Sequence, residues 1–464
     1  MTDTAILLRR HNIAPLILVN LGVGLHATIW YMASTAMPSA VEELDAAAYL
    51  SWATSLYLMT SILGGAMLAP MKARFGARNS MMVAGAIVVA GGVIAAVAPN
   101  VAFILAGRAI QGLAEGFLVA LSYALVRELF DNALVPRVGG IEAITWALAV
   151  MLGPLLGGWL TDLGTWRLAF FGSALLPIPM MVLGWVILRN RPHVEGERHR
   201  TPLARLLLLA IGVMAIACAD RFGHGIGPLA VVAGIGLVGL TLALDRRSLP
   251  KLFPSAFPGF FHPVSLGLWV LTLMPLAEAA VYVYGPYILQ VHRGLAPTVA
   301  GYFGAIHALA WSASAMLVAP LATRWHGFAI VAGPTFLTIG LGGLAVTLAD
   351  SALPIIAIAM VFIGLGFGVS FSFLTQRVMA ATDSGEEDAT SAAISTLGGL
   401  GGAISAALAG LIGNAIGLDR PLTMEIVTRA SLWLFGGGAL LSAVAIVAAL
   451  ALLRSLKKPA PAAP

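Results

Sequence analysis

The chain has 464 residues, of which 59% are hydrophobic and only 10% charged, and its mean hydropathy is +0.93. A soluble globular domain carries about 25% charged residues, so this chain could not cover its surface in water, and a water-soluble enzyme or binding module is excluded. The single cysteine, Cys218, excludes a disulfide framework and a thiolate metal site.

Apolar runs bounded by charges or by Pro, Gly and Asn clusters predict fourteen spans, each near the ~20 residues needed to cross a bilayer. In chain order they cover 13–38, 48–70, 80–98, 101–127, 134–162, 166–188, 203–219, 227–244, 264–290, 296–320, 328–348, 353–378, 389–415 and 428–453. The first follows MTDTAILLRRHN, which lacks an A-x-A cleavage site and reads as a retained helix. The last runs into KKPAPAAP, a tail expected to be disordered. Of the 26 Lys and Arg, 20 fall on the N-terminal side of these spans, 5 on the other, and Arg108 within span 4. By the positive-inside rule both termini are cytoplasmic. The pI near 9.6 then reflects basic cytoplasmic loops, not a nucleic-acid partner.

One stretch occurs twice. "APMKARFG" fills 69–76, between spans 2 and 3, and "APLATRWHG" fills 319–327, between spans 10 and 11. If spans 1–6 and 9–14 are two six-helix halves, these are the same loop in each half, and spans 7 and 8 are an inserted pair. Parallel halves of this kind are a common internal symmetry of transporters. The expected fold is an all-α membrane protein of fourteen transmembrane helices, with an N-terminal half over 1–190, an inserted pair over 191–254, a C-terminal half over 255–455 and a tail over 456–464.

An ionisable side chain deep in a span costs about 2.5–3.5 kcal/mol on translocon scales and is a functional hypothesis by default. Four lie near mid-depth: His26 on span 1, Glu115 on span 4, Glu278 on span 9 and His307 on span 10. Carboxyls in low-dielectric cavities exchange protons near neutral pH, so Glu115 and Glu278 are the natural proton carriers. A structural hydrogen bond to a neighbouring helix is the alternative for each, and a satisfied polar contact is the alternative for each histidine. Arg108 precedes Glu115 by seven residues, about 10.5 Å along a helix, too far for a direct pair but suited to two points on one cavity. Glu142 and Asp162, near the ends of span 5, read as interfacial or cap residues. Trp30, Tyr31, Trp146, Tyr282, Tyr284, Phe371 and Phe373 could line an apolar pocket or serve helix packing.

Gly153, Pro154 and Gly157 on span 5 allow close helix approach and a bend, because small residues four apart admit a neighbouring backbone and proline removes a hydrogen bond. Gly398, Gly402, Gly413 and Gly417 read as packing glycines on span 13, and Asp383, Glu386, Glu387 and Asp388 as a solvated loop and helix start. The sequence has no Walker A loop, no H-E-x-x-H and no metal-spaced Cys/His set.

Three stretches resemble the major facilitator superfamily, and within it the fourteen-helix drug:proton antiporter branch. APMKARFGARN is similar to the loop signature G-x-L-a-D-r-x-G-r-k through Arg74, Gly76 and Arg78. GRAIQG is similar to R-x-x-Q-G through Arg108, Gln111 and Gly112, and AVMLGPLLGG to the antiporter signature through Gly153, Pro154, Gly157 and Gly158. The likeness covers essentially the whole chain. It implies cavity-lining roles for spans 1, 4, 9 and 12, a substrate- or proton-linked role for Arg108, and gating or packing roles for the two signature sets. The chain departs from the pattern at Ala73, where the family has an acid that latches the cytoplasmic gate, and it lacks the Asp of the first helix.

The reading that follows is a secondary active transporter, not an enzyme, in a bacterial inner membrane. It is expected to export an amphipathic or hydrophobic small molecule by alternating access, as a monomer, with the proton gradient as energy source and no cofactor. The alternative is the same fold moving one specific metabolite (a vitamin, siderophore or lipid), possibly inward.

Overall fold

A computed structural model describes residues 10–131, 133–189 and 202–456, and every element found there is helical. The expected tail beyond Leu456 and the basic segment over 190–201 lie outside the described residues. The chain divides into two compact units, Met1–Ala210 with Gly294–Ala305, and Ile211–Arg293 with Ile306–Pro464. The inserted pair does not stand apart: its first helix is divided between the units and its second belongs to the later one.

The first unit is built on α1 (Arg10–Glu43), α2 (Leu50–Ala66), α3 (Leu68–Ala96), α4 (Val101–Leu129), α5 (Val135–Asp162), α6 (Trp166–Leu175) and α7 (Pro177–Ile187). Helix starts carry ordinary signals. Asn100 Oδ1 accepts from Ala102 N at 3.0 Å and Thr165 Oγ1 from Arg167 N at 3.3 Å, satisfying amides with no intrahelical partner. Leu18, Ile29, Met81, Val88, Leu118 and Leu121 pack its core.

Helix α2 meets α4 along a seam of glycines. A Cβ on Gly64 would lie 1.8 Å from Leu113 O, one on Gly112 2.4 Å from Tyr57 O, and one on Gly116 2.0 Å from Ser61 O. Only glycine permits that backbone approach, the means by which helices pack where no hydrophobic driving force separates lipid from protein.

The second unit contains the later part of α8 (Leu203–Ala217), then α9 (Gly223–Arg247), α10 (Pro263–Tyr287), the later part of α11 (Pro297–Val318), α12 (His326–Thr347), α13 (Leu353–Ala380), α14 (Glu387–Ile416), α15 (Met424–Ser431) and α16 (Gly437–Ser455). Helix α10 is its axis, buried over most of its length from Val264 to Tyr287. Gly438 and Gly401 admit the carbonyls of Ala277 and Thr272 on α10, so α16 and α14 close on it from two sides.

Twelve helices among the described residues are long and apolar enough to cross a membrane. The expected count of fourteen is not supported at that length: the spans placed at 48–70 and 203–219 correspond to helices of 17 and 15 residues. The reason at the first is local. Helix α2 stops at Ala66, and residues 68–70 already belong to the helix that carries the repeated loop, which breaks at Gly76 with φ 73° and ψ 162°. In the second copy a short 3-10 turn, Thr323–Trp325, precedes α12.

Candidate functional site

Polar side chains concentrate at one place in the first unit. Tyr57 is fully buried on α2, and its hydroxyl donates to Glu115 Oε2 on α4 at 2.6 Å. The same hydroxyl oxygen lies 2.8 Å from His26 Nδ1 on α1, whose side chain is 21% exposed. The direct approach of His26 Nδ1 to Glu115 Oε2 is longer, 3.4 Å. Glu115 is fully buried, and its second oxygen, Oε1, has no hydrogen-bond partner. The Arg108 guanidinium lies 4.0 Å above the Tyr57 ring, a cation–π contact of the kind worth about 2 kcal/mol when desolvated. It also donates to Gln111 Oε1 at 3.0 Å, and Gln111 Nε2 donates to Ser173 Oγ on α6 at 3.2 Å. Arg108 and Glu115 are thus too far apart to pair, as the helical rise requires, and Tyr57 spans the gap with its ring on one and its hydroxyl on the other. Trp30 lies against Tyr57, and Trp146 against His26.

The second unit holds the same three residue types in another order. Tyr282 OH and His307 Nδ1 are 3.0 Å apart, and His307 Nε2 lies 2.8 Å from Glu278 Oε1. That last approach is close without hydrogen-bond alignment, since both atoms are buried with no aligned partner. Beside the pair is a cavity of about 260 Å³ lined by Leu271, Met274, Trp311, Phe367, Phe371 and Gly398, with Ser370 and Ser395 as its hydroxyls. The His307 ring centroid lies 6.2 Å from that of Trp311 and 6.3 Å from that of Phe367. The imidazole therefore stands between an apolar cavity and a buried carboxylate. Gly398 faces this cavity, and a methyl group placed on its Cα would meet nothing within 4 Å, so it is a lining residue and not the packing glycine expected.

The signature residues have structural partners. Arg74 lies over Phe75, Arg78 over the Trp185 ring at 3.3 Å, and Gly76 supplies the positive φ at the break. Next to Ala73, Lys72 pairs with Glu128 at the end of α4, an ion pair in the neighbourhood where the family's acid is missing. A Cβ on Gly153 would meet Tyr31, one on Gly157 would lie 2.7 Å from Met32 Cα, and one on Gly158 would lie 2.3 Å from Thr298 Cα. Pro154 lies against Gly301, and Asp162 Oδ2 accepts from Thr298 Oγ1 at 2.7 Å. These residues, 294–305 included, all lie in the first unit.

Residues 19–406 match the model of the Major Facilitator Superfamily. The chain belongs to that superfamily. Membership makes it a multi-pass membrane transporter and not an enzyme. It is 31% identical over 407 residues to a "Probable multidrug-efflux transporter" of Mycobacterium tuberculosis, covering 85% of this chain and 86% of the relative. Among solved superfamily folds it is similar to a peptide transporter crystallised with sulfate, with a TM-score of 0.67 at 15% identity over 96% of each chain. It is also similar to a bacterial homologue of the human lysosomal transporter Spinster, with a TM-score of 0.67 at 12% identity over 97% of this chain and 100% of that one. Those two likenesses are of fold.

Sequence reasoning reached His26, Glu115, Glu278, His307 and Arg108 through one signal, an ionisable group inside an apolar run. It missed Tyr57, Trp311 and Phe367. An aromatic residue in an apolar helix gives no such signal, and Tyr57 stands out only through its partners.

Proposed function

We propose that this chain is a proton-coupled exporter of an apolar or amphipathic small molecule, working by alternating access in the inner membrane with both termini cytoplasmic. The observation that carries this is the aromatic cavity of the second unit backed by His307 and Glu278. Trp311 and Phe367, which line the cavity, pack against the His307 ring, so a guest there changes the surroundings of the already buried pair and with them the cost of its charge. Occupancy and protonation of the pair are then linked, the minimum that any proton-coupled transporter requires. Glu115 is the second coupling carboxylate and Arg108 its tether. The name of the M. tuberculosis relative supports efflux as the direction and drug-like compounds as the cargo. The proton gradient is the energy source, with no bound cofactor, and the monomer is the working unit. Helices α2 and α8 complete fourteen spans in this reading. Helix α2 has no charged residue and α8 only Arg205, and a short span is accommodated by local thinning of the bilayer.

The test is ethidium transport in proteoliposomes, with an imposed pH gradient and as counterflow, for Glu115→Gln, Glu278→Gln and the double variant. Glutamine keeps size and hydrogen-bonding capacity but cannot release a proton. Each single variant is expected to lose gradient-driven transport and to keep counterflow. Gradient-driven transport at the wild-type rate in all three would overturn proton coupling at these carboxylates.

A further inference from the structure

A tyrosine hydroxyl has one hydrogen and two lone pairs, so it donates one hydrogen bond while accepting another. Tyr57 gives its hydrogen to Glu115 Oε2 at 2.6 Å, so the 2.8 Å contact to His26 is a hydrogen bond when Nδ1 holds a hydrogen and donates back. The reversed arrangement is equally complete: a protonated Glu115 donates to the phenol oxygen, and the phenol donates to a bare Nδ1. The two arrangements differ only by one step of each of two hydrogens along the same line.

Exposure gives the line a direction. His26 is 21% exposed at its side chain, whereas Tyr57 and Glu115 are fully buried. The direct distance from imidazole to carboxylate, 3.4 Å, exceeds the ~2.6–3.2 Å over which a proton is passed, and both distances through the hydroxyl fall inside it. Arg108 above the ring is the further charged group of the cluster, and it holds the ring in place.

On the reading that Glu115 couples proton flow, we propose that Tyr57 is the proton relay between His26 and Glu115. In the loading step the Nδ1–H hydrogen of an imidazolium passes to the phenol oxygen as the phenol's own hydrogen passes to Glu115 Oε2. The N–H and O–H bonds that break are replaced by two O–H bonds. The imidazole is left neutral with its hydrogen on Nε2, the carboxylate becomes a carboxyl, and the tyrosine ends with one hydrogen as it began. Charges of +1 and −1 become zero, and no other reactant takes part. Unloading is the same step reversed.

The experiment is time-resolved infrared spectroscopy of the purified protein in lipid nanodiscs after a light-triggered pH jump. It follows the carbonyl stretch of protonated Glu115, assigned by its loss in Glu115→Gln. Tyr57→Phe keeps the ring over Arg108 and removes only the hydroxyl. Its band is expected to reach the wild-type amplitude at least about tenfold more slowly, below the usual range for a positioned acid–base group, and His26→Gln is expected to slow the same rise. A merely structural hydroxyl predicts a shifted band that rises at the wild-type rate, and that result overturns the relay. Persistence of the band in Glu115→Gln shows instead that Glu115 takes up no proton, which removes the coupling reading beneath it. Wild-type protein supplies a check that no folding defect can confuse. Two hydrogens in flight make the rate fall quadratically with deuterium fraction, and a linear dependence overturns the concerted step.

Discussion

Trp311 and Phe367 stack with their ring centroids 4.6 Å apart and their planes 20° from parallel. They come from different helices, α11 and α13, both line the cavity, and His307 packs against both rings. The stack holds the cavity open at a fixed width, because aromatic pairs add about 0.5–1.5 kcal/mol beyond their buried area. Trp311→Ala is expected to raise the ethidium concentration giving half-maximal transport by roughly five- to tenfold, from loss of that contact and of apolar surface. Concentration dependence in proteoliposomes measures it, and an unchanged value would remove Trp311 from the cargo site.

Two of the helix glycines should behave in opposite ways. A side chain at Gly157 meets the Met32 backbone at 2.7 Å, so Gly157→Leu forces α5 and α1 apart and is expected to abolish transport and lower thermal stability. Overpacking of this kind costs about 1–3 kcal/mol or more. Gly398→Ala projects into open space and is expected to fold normally while shifting preference toward smaller cargo. Thermal unfolding in detergent and transport of two dyes of different size separate the cases.

A clasp in the second unit should open in acid. Burial alone would push the Glu386 carboxyl up. Hydrogen bonds from Ser255, through both hydroxyl and backbone amide, together with Lys251 outweigh that and hold it below the ordinary carboxylate range. A depressed folded-state value stabilises the clasp above the ordinary carboxylate pKa, and the stabilisation is lost as pH falls through the folded value. Protection of the Ser255 amide from hydrogen exchange, relative to its intrinsic rate at each pH, is therefore expected to be high at neutral pH and to be lost in acid, below the ordinary carboxylate range. Glu386→Gln should remove the pH dependence, and a wild-type profile as flat as the variant's would show that the clasp does not titrate.

The charge asymmetry of the loops predicts topology. A periplasm-active reporter inserted around His292–Gly294 or at Gly223 should be active, and one at the C-terminus silent. The opposite pattern would reverse the orientation. An active reporter at Gly223 also places α8 and α9 as a pair of spans.

Fold class was plain in the sequence because a bilayer allows so few solutions. Long apolar runs must be helices, whereas the repeated stretch takes two forms, helical up to the break at Gly76 in the first copy and with a short 3-10 turn at Thr323–Trp325 in the second. Helix ends were less legible. The end of α2 is hard to tell from the start of α3, because the apolar run Ala66, Met67, Leu68 and Ala69 crosses the break. The candidate site was half visible. Charged residues inside spans announce themselves by their cost, whereas Tyr57 and Trp311 are distinguished by partners such as His26 and Phe367, 31 or more residues away in sequence. The geometry of Gly398 was not accessible at all, since whether a glycine faces a backbone or a void depends on the neighbour, not on the glycine.

The carbonyl that would collide with a side chain at Gly112 belongs to Tyr57 itself. The backbone contact between α2 and α4 thus sets the distance that the Tyr57 and Glu115 side chains have to span. A codon change from glycine to alanine at 112 leaves every titratable group in place and still lengthens the line along which hydrogens travel. In protein that still folds, the proposed relay would slow although no charged residue has changed. Surveys of variants that score only changes at charged positions would pass over it.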